Sequence, residues 1–258
     1  MNTQTLITPG IKESRENESV IQIRGLYKSF GGNRVLQNFD LDLKKGENLV
    51  VLGKSGSGKS VLIKCIIGLI RPDKGTIRVL EKNIPELGQE ELDRIRVKVG
   101  FLFQSNALYD SMSVRENLEF PLRRHSIELS KTETDELVME ALSNVGLSET
   151  IDMRPSELSG GMKKRVALAR TLILKPEIIL YDEPTTGLDP ITGKEISSLM
   201  RELGEKYNTS SIIISHDMHC VKIIADRIIL LNEGRCYADG DYATLEHLPD
   251  PIINRFFE

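Results

Sequence analysis

Long apolar runs are what this sequence most clearly lacks. A helix that crosses a bilayer needs about 18 or more predominantly apolar residues, whereas the longest candidate here, from Val61 to Ile70, is short and is interrupted by Lys64. The first 19 residues are polar and contain no apolar stretch of the kind found in secretory signals. We therefore expect no membrane span and no signal peptide, and we interpret residues 1–19 as a flexible N-terminal tail.

Cysteine and surplus positive charge are also scarce. The 258 residues include three cysteines, an odd and scattered set (Cys65, Cys220 and Cys236), which predicts no disulfide framework and suits a reducing cytosol. Lys and Arg total 34 against 38 Asp and Glu, so the net charge is −4. Proteins that bind nucleic acids by bulk electrostatics are usually basic. The sequence therefore predicts a cytoplasmic chain with no nucleic-acid partner.

Strand-like and helix-like segments alternate through most of the chain, with no internal repeat or low-complexity tract. Residues 20–26 form a strand-like run, and residues 39–43 alternate between apolar and polar as a half-buried strand does. Leu49 to Leu52 is continuously apolar, which indicates a strand buried on both faces. Further strands are expected at 178–181, 211–214 and 227–231. This pattern predicts an α/β fold in which helices cover a mostly parallel sheet.

The middle of the chain has a different pattern, because strand signals vanish between about Ser105 and Glu157. Ser130 and Glu133 form a capping-box signal for a helix. Its apolar face precedes Gly146, a plausible helix stop. We interpret residues 105–160 as a helical subdomain inserted into a single domain that spans residues 20–258.

A glycine-rich loop follows the buried strand at 49–52 and precedes a helix expected from Ser60 to Leu69. It matches G-x-x-x-x-G-K-[ST], in which backbone N–H groups and the helix N-terminus surround a phosphate. Lys59 would reach the β- and γ-phosphates and the Ser60 hydroxyl would ligate Mg²⁺. A Gly/Ser-rich turn without a ligand is the alternative, which the order of strand, loop and helix disfavours. The loop residues are Gly53, Lys54, Ser55, Gly56, Ser57, Gly58, Lys59 and Ser60.

A second glycine-rich segment opens another helix, and a pair of carboxylates follows it. Ser159, Gly160 and Gly161 place a hydroxyl and bare amides at a helix N-terminus, a second candidate anion site, although alone it is often only a cap. Asp182 and Glu183 end the strand expected at 178–181. An Asp at a strand end can hold Mg²⁺, usually through water, and the next carboxylate can polarise an attacking water.

Together these motifs resemble the nucleotide-binding domains of ABC transporters, from about Ile21 to the C-terminus. The resemblance implies a P-loop NTPase core with an N-terminal antiparallel β subdomain and an inserted helical subdomain, and an ATPase that uses ATP and Mg²⁺. It implies that Ser159, Gly160 and Gly161 are the signature motif and that Met162 replaces the commoner glutamine there. The other implied roles are adenine stacking by Phe30 (or, less favoured, Tyr27), a Q-loop contact to Mg²⁺ or water by Gln104, Mg²⁺ binding by Asp182, general-base catalysis by Glu183, a D-loop position for Asp189 and γ-phosphate sensing by His216.

The resemblance also implies partners. The second anion site would close on the phosphate loop of another copy, so that two ATP molecules lie in a head-to-tail dimer. That dimer would dock on separate membrane permease subunits, at the cytoplasmic face of the inner membrane. Leu108 to Met112 follow the Q-loop and are expected to form the rim of the docking groove.

Several stretches are similar to the ATPases of Mla/Mce-type lipid transporters, which implies phospholipid transport and a membrane-anchored MCE-type partner. They are residues 100–114, Asn117, Phe120 to Arg123, Leu158 to Arg165, and Leu248 to Phe256. An ABC transporter of an amino acid, an ion or a drug is the alternative. A soluble, non-transport ABC ATPase would usually carry two nucleotide domains or a long coiled-coil insertion, and this sequence shows neither. An inactive subunit would lack Lys59, Glu183 or His216, and all three are present.

Two groups of residues could be read as additional binding sites, one for zinc and one for nucleic acid. His216, His219 and Cys220 could bind zinc, but no fourth ligand is near in sequence. Lys163, Lys164 and Arg165 could form a nucleic-acid patch, but three basic residues on one helical turn are more often a solvated face. We expect neither site.

Overall fold

The computed structural model describes residues 6–7, 18–125 and 127–257. Its strands are β1 (Leu6–Ile7), β2 (Ser19–Phe30), β3 (Asn33–Lys44), β4 (Asn48–Leu52), β5 (Lys74–Val79), β6 (Lys82–Asn83), β7 (Val99–Leu102), β8 (Ile178–Asp182), β9 (Ser210–Ile214), β10 (Arg227–Asn232) and β11 (Arg235–Gly240). Its helices are α1 (Lys59–Ile66), α2 (Gln89–Lys98), α3 (Val114–Arg124), α4 (Lys131–Asn144), α5 (Gly160–Leu172), α6 (Pro190–Tyr207), α7 (Met218–Ile224), α8 (Tyr242–Glu246) and α9 (Pro251–Phe257).

The larger sheet has the strand order β1-β11-β10-β4-β9-β8-β7. Its central strands are parallel to one another, and β11 returns antiparallel to β10. Every residue of β8 and β9 is buried, because helices cover both faces, and this requires the continuous apolar runs seen in the sequence. The predicted α/β fold with a mostly parallel sheet is confirmed.

The smaller sheet is antiparallel, with the strand order β3-β2-β5-β6. Alternate residues of β3, including Phe39, Leu41 and Leu43, are buried and pack in one core with α1 and one face of β4. The half-buried pattern of β3 is the one expected when only one face of a sheet meets a core. The N-terminal antiparallel β subdomain is also confirmed.

The helical subdomain contains α3 and α4, and the described residues between 105 and 157 form no strand. Both helices begin with a capping box, at Ser113 with Glu116 and at the predicted Ser130 with Glu133. Gly146, just beyond the end of α4, has φ +69°, a conformation that glycine adopts without strain. That residues 105–160 form a subdomain inserted into the larger domain remains a prediction.

The predicted N-terminal tail differs from the structure at two described points. Leu6–Ile7 forms β1, which pairs parallel with β11 through Leu6 to Ala238 and Ile7 to Asp239, and β2 already begins at Ser19. The rest of that prediction, residues 1–5 and 8–17, lies outside the described residues. No helix in the described part of the chain has the length and apolar character that a membrane span needs.

Candidate functional site

Four strand ends of the larger sheet converge on one edge. Val51 of β4 pairs with Ile214 of β9, and Asp182 of β8 pairs with the same Ile214. Leu102 of β7 pairs with Tyr181. The carboxyl ends of parallel strands therefore bring together the glycine-rich loop, the two carboxylates, His216 and Gln104, at the edge where open α/β sheets bind ligands.

The glycine-rich loop is shaped by close backbone contacts. A Cβ at Gly53 would lie 2.6 Å from the carbonyl oxygen of Leu231, and a Cβ at Gly58 would lie 2.9 Å from that of Val35. Gly58 also has φ +107°, which other residues rarely adopt. The loop can pass between these two carbonyls only with glycine at both positions.

The Lys59 ammonium lies inside this loop. Its Nζ donates to the carbonyl oxygens of Gly53 at 2.7 Å and of Lys54 at 3.0 Å. Burial lowers the pKa of Lys59, and the carboxylates of Glu183 and Asp182 oppose that shift. The loop therefore curls around a buried cation whose donors face carbonyls that a phosphate could replace.

The loop also suits an anion by its unsatisfied polar groups. The hydroxyl oxygen of Ser57 is buried and has no hydrogen-bond partner among the described residues. The helix α1 starts directly at Lys59 and its N-cap, Gly58, contributes no side-chain cap, so the first amides of α1 stay available. Buried polar groups are normally paired, and a phosphate held here would supply the missing acceptors.

A pair of oxygens beside the loop suits Mg²⁺. The Ser60 hydroxyl donates to Asp182 Oδ1 at 3.2 Å. Burial raises the pKa of Asp182, opposed by that hydrogen bond, and a cation between the two oxygens would reverse the shift. Within the described residues no group of three or more His, Cys, Asp or Glu side chains is placed to hold a metal by itself. Mg²⁺ commonly shares its ligands with phosphates and water.

The second carboxylate is held in place by its neighbours. Glu183 Oε2 lies 2.7 Å from Nδ1 of His216 and accepts from the Thr186 hydroxyl at 3.3 Å. The backbone of Glu183 has φ +52°, an uncommon value for a non-glycine residue. The backbone N–H of Glu183 donates to the carbonyl oxygen of Ile214 at 2.9 Å. Such strain is retained where surrounding structure overdetermines it, often at active sites, and here it aims a carboxylate beside the loop.

The aromatic candidate Phe30 ends β2 and is 49% exposed, against 39% for Tyr27. The Lys28 ammonium lies 5.1 Å from the Phe30 ring centroid and 2.9 Å from the Asp73 carboxylate. The β2–β3 hairpin also carries Val35, whose carbonyl contacts Gly58. The structure therefore offers an exposed ring on the hairpin that packs against the loop.

The second candidate anion site lies beside the residues predicted to form the D-loop. Ser159 Oγ accepts from the amide of Met162 at 3.2 Å, as the N-cap of α5. A Cβ at Gly161 would lie 2.8 Å from Thr192, and one at Gly160 would lie 3.8 Å from Leu188. Asp189 caps α6 by accepting from two backbone amides, at 3.1 and 3.0 Å. The structure thus groups the predicted signature and D-loop residues with each other, while Asp182 and Ser60 belong to the first site.

The prediction that Lys163, Lys164 and Arg165 form a solvated face is wrong, and Lys164 proves to be a buried residue that contacts the Q-loop candidate Gln104. The turn Lys163 to Arg165 is not a solvated face, because Lys164 is 1% exposed and donates from Nζ to the Gln104 carbonyl at 3.1 Å. Arg165 donates to Glu195 at 3.0 Å and to the Val145 carbonyl at 3.2 Å. The sequence did hold a signal, since Lys164 lies three and four residues before Ala167 and Leu168, on the apolar face of α5.

A buried strand, a glycine-rich loop closed on a lysine and a carboxylate on the neighbouring strand define the molecule as a P-loop nucleoside triphosphatase. Residues 36–186 match the ABC transporter family model. The chain belongs to this family and is an ATP-binding, ATP-hydrolysing subunit of an ABC transporter.

Relatives support the family and differ in cargo. The chain is 39% identical, over 92% of its length and 68% of the relative, to a probable ribonucleotide transport ATP-binding protein of Mycobacterium leprae. It is 36% identical, over 93% and 74%, to the methionine import ATP-binding protein MetN of Clostridium tetani. It is 37% identical, over 94% and 91%, to the phospholipid transport ATP-binding protein MlaF of Haemophilus influenzae.

A solved structure agrees with the fold. The dimeric post-hydrolysis state of the ATP-binding cassette MJ0796, bound to ADP and Pi, superposes with a TM-score of 0.78 at 32% identity, covering 86% of this chain and 98% of that one. The fold, the site geometry and the family therefore agree on nucleotide hydrolysis.

Proposed function

We propose that this chain energises phospholipid transport across a bacterial envelope, as the ATPase of an Mla/Mce-type ABC transporter. The support is the resemblance of residues 100–114, Asn117 and Phe120 to Arg123 to such ATPases, together with a relative whose name includes intermembrane phospholipid transport. Ribonucleotide and methionine, named for two other relatives, are the competing cargoes.

The observation that carries the proposal is that these resembling residues form one packed unit beside the Q-loop. The buried Asn117 amide accepts from the N–H of Tyr109 at 2.8 Å and donates to the Tyr109 carbonyl at 3.1 Å and the Met112 carbonyl at 3.3 Å. The Tyr109 and Phe120 rings lie 4.7 Å apart. Asn117 therefore shapes the loop 109–112 on α3.

This unit presents apolar surface suited to a permease contact. Tyr109 is 42% exposed and Phe103, directly before Gln104, is 37% exposed. Partly exposed aromatics beside charged residues are typical anchors of protein interfaces. We place the permease contact on this rim, with the chain peripheral on the cytoplasmic face of the inner membrane and an MCE-type protein as a further partner.

The site residues then take these roles. Glu183 accepts the proton of the attacking water, and His216 holds that carboxylate in place and senses the γ-phosphate. Lys59 and the loop amides stabilise negative charge on the β- and γ-phosphates. Phe30 stacks on adenine and Gln104 contacts the metal or the water. Ser60 and Asp182 would hold Mg²⁺, which neutralises phosphate charge when bound.

Hydrolysis also needs a second copy of the chain. We propose that Ser159, Gly160, Gly161 and Asp189 face the nucleotide of a partner in a head-to-tail dimer. ATP would favour the closed dimer and hydrolysis would release it, a ligand-driven population shift.

The cargo is tested by transport. The chain is reconstituted with its permease and MCE-type partner in proteoliposomes, and ATP-dependent movement of fluorescent phospholipid is compared with uptake of methionine and of a ribonucleotide. We expect phospholipid movement that Glu183→Gln abolishes. Movement of either hydrophilic cargo without phospholipid would refute the lipid proposal and leave the ATPase assignment standing.

The docking rim is tested in the same assembly. Tyr109→Ala is expected to abolish phospholipid movement while ATP affinity stays within about twofold, because one interface anchor is worth about 2 kcal/mol or more and the phosphate loop is untouched. Glu202→Gln, exposed on α6 and outside the rim, is the control. Normal transport by Tyr109→Ala would move the permease contact elsewhere.

A further inference from the structure

Helix α5 holds the main chain that follows β7. Lys164 donates to the Gln104 carbonyl at 3.1 Å. Arg170 donates to the Asn106 carbonyl at 2.9 Å and to the Ala107 carbonyl at 2.8 Å. These contacts bridge 60 or more positions of sequence. The Q-loop backbone is therefore attached to the helix whose first turn is the signature motif.

Lys164 is an unusual choice for this attachment. It is 1% exposed, its hydrogen-bond partner is a neutral carbonyl, and none of the ion pairs among the described residues includes it. A buried charge without a counter-charge destabilises the folded state, and an apolar residue of similar size commonly does better at such a position. The donor is therefore retained at a cost in stability, which favours a role in function.

The two ends of the attachment face different nucleotides, given the head-to-tail dimer proposed above, on which this inference rests. Gln104 belongs to the site of its own chain, and Ser159 to Gly161 belong to the site of the partner. We propose that Lys164 is a positioning residue that ties the Gln104 main chain to α5, so that the Q-loop and the signature motif of one protomer move together. Lys164 thereby couples the two ATP sites of the dimer.

The test compares Lys164→Met with Lys163→Met in the assembled transporter. Methionine keeps the length of the lysine and removes the donor, and Lys163 is the neighbouring lysine on the same helical turn, half-buried rather than buried. We expect Lys164→Met to keep KM for ATP and to keep or raise Tm. We expect its kcat to fall about tenfold or more, which is at least about one hydrogen bond's worth of transition-state stabilisation, and its Hill coefficient for ATP to fall toward one. Lys163→Met should match the parent.

Lys164→Arg supplies the rescue, because it keeps a donor at this position. We expect it to recover more kcat and cooperativity than Lys164→Met. A folded Lys164→Met protein with parental kcat and Hill coefficient would overturn the proposal. So would a loss of kcat accompanied by a lower Tm, which marks a structural role, or a folded Lys164→Arg protein as impaired as Lys164→Met.

The dimer is checked separately. The Glu183→Gln variant with ATP is run on size exclusion, with and without Lys164→Met. The coupling role is supported if ATP-dependent dimers form in both cases while the Hill coefficient for ATP falls only when Lys164 is replaced. If Glu183→Gln forms no dimer with ATP, the coupling proposal is overturned while the cargo proposal is still decided by the transport assay.

Discussion

Two helix N-termini in this chain are candidate anion sites, and their structures differ. Helix α1 begins after Gly58, which has φ +107° and contributes no side-chain cap. Helix α5 begins after Ser159, whose hydroxyl accepts from the amide of Met162 at 3.2 Å. Both present the positive end of a helix dipole, but only the first keeps all its early amides free of a side-chain cap.

The surroundings of the two helix starts differ in the same direction. The α1 site includes the buried ammonium of Lys59. Burial lowers its pKa, and the nearby carboxylates of Glu183 and Asp182 oppose that lowering. At the α5 site the contacts of Gly160 and Gly161 are Leu188 and Thr192. The first site therefore brings a buried cation and two carboxylates together, whereas the described neighbours of the second are Leu188 and Thr192. This difference fits the proposed head-to-tail dimer, in which the first site would carry the chemistry and the second would complete the anion site of the partner.

The largest expected effect is on the first site. Glu183→Gln should keep ATP affinity and lower turnover by roughly 10²–10⁴-fold, the usual worth of a general base, and should accumulate the ATP-bound dimer. Turnover is measured by phosphate release, with the exposed Glu202→Gln as control. Turnover at the parental rate would show that another group activates the water and would remove the chemical contrast between the two sites.

The next effect concerns stability on the α5 side and depends on pH. Burial lowers the pKa of Lys164 from 10.5 to about 8, so between these values the unfolded chain binds a proton that the folded chain does not. The free energy of unfolding contributed by Lys164 therefore rises with pH across this window, by roughly 3 kcal/mol in full.

Lys164→Met removes this contribution. Its stability gain over the parent should be largest below pH 8 and should shrink as pH approaches 10.5. Urea unfolding of the parent, Lys164→Met and Lys163→Met at pH 7 and at a pH near 10 measures the difference. A gain that grows with pH would mean that Lys164 is not a penalised buried cation.

A smaller effect is expected at the adenine contact of the first site. Phe30→Ala should weaken ATP affinity by about 1–3 kcal/mol, by analogy with base stacking on aromatic rings, while Phe30→Tyr should be nearly silent. Fluorescent nucleotide titration of the isolated chain provides the affinity. Equal affinity for Phe30→Ala and the parent would move the contact to Tyr27.

The smallest effect is expected at the second site. Ser159→Ala should cost about 1 kcal/mol in stability through the lost cap. It should leave the nucleotide affinity of the isolated chain unchanged, because Ser159 is proposed to face the nucleotide of the partner. Turnover of the assembled dimer should nevertheless fall. Denaturant unfolding and nucleotide titration on the same sample separate the two outcomes. Weaker binding by the monomer would place Ser159 in its own chain's site and abolish the distinction between the two anion sites.

Local signals account for the parts of this structure that the sequence predicted well. The loop from Gly53 to Ser60 lies between a buried strand and a helix, as expected, because the glycine positions and the strand pattern are local properties. The capping box at Ser130 and Glu133 formed as predicted, since its partners are three residues apart. The shorter elements β5 to β7 and α2 were not predicted, because elements of only two to ten residues carry weak periodicity.

The sequence by itself determined the chemical class, because the residues that hold a phosphate are contiguous and their backbone geometry depends on which of them are glycine. Tertiary structure alone decided which distant groups meet. Glu183 and His216 are 33 positions apart and meet because β8 and β9 are neighbours in a parallel sheet. Lys164 and Gln104 are 60 positions apart and meet because α5 packs against β7. Parallel pairing joins strands across long crossovers, so its order leaves no local trace. The position of Lys164 on the apolar face of α5 was a local signal, but the burial itself depended on what packs against that face, which only the tertiary structure decided.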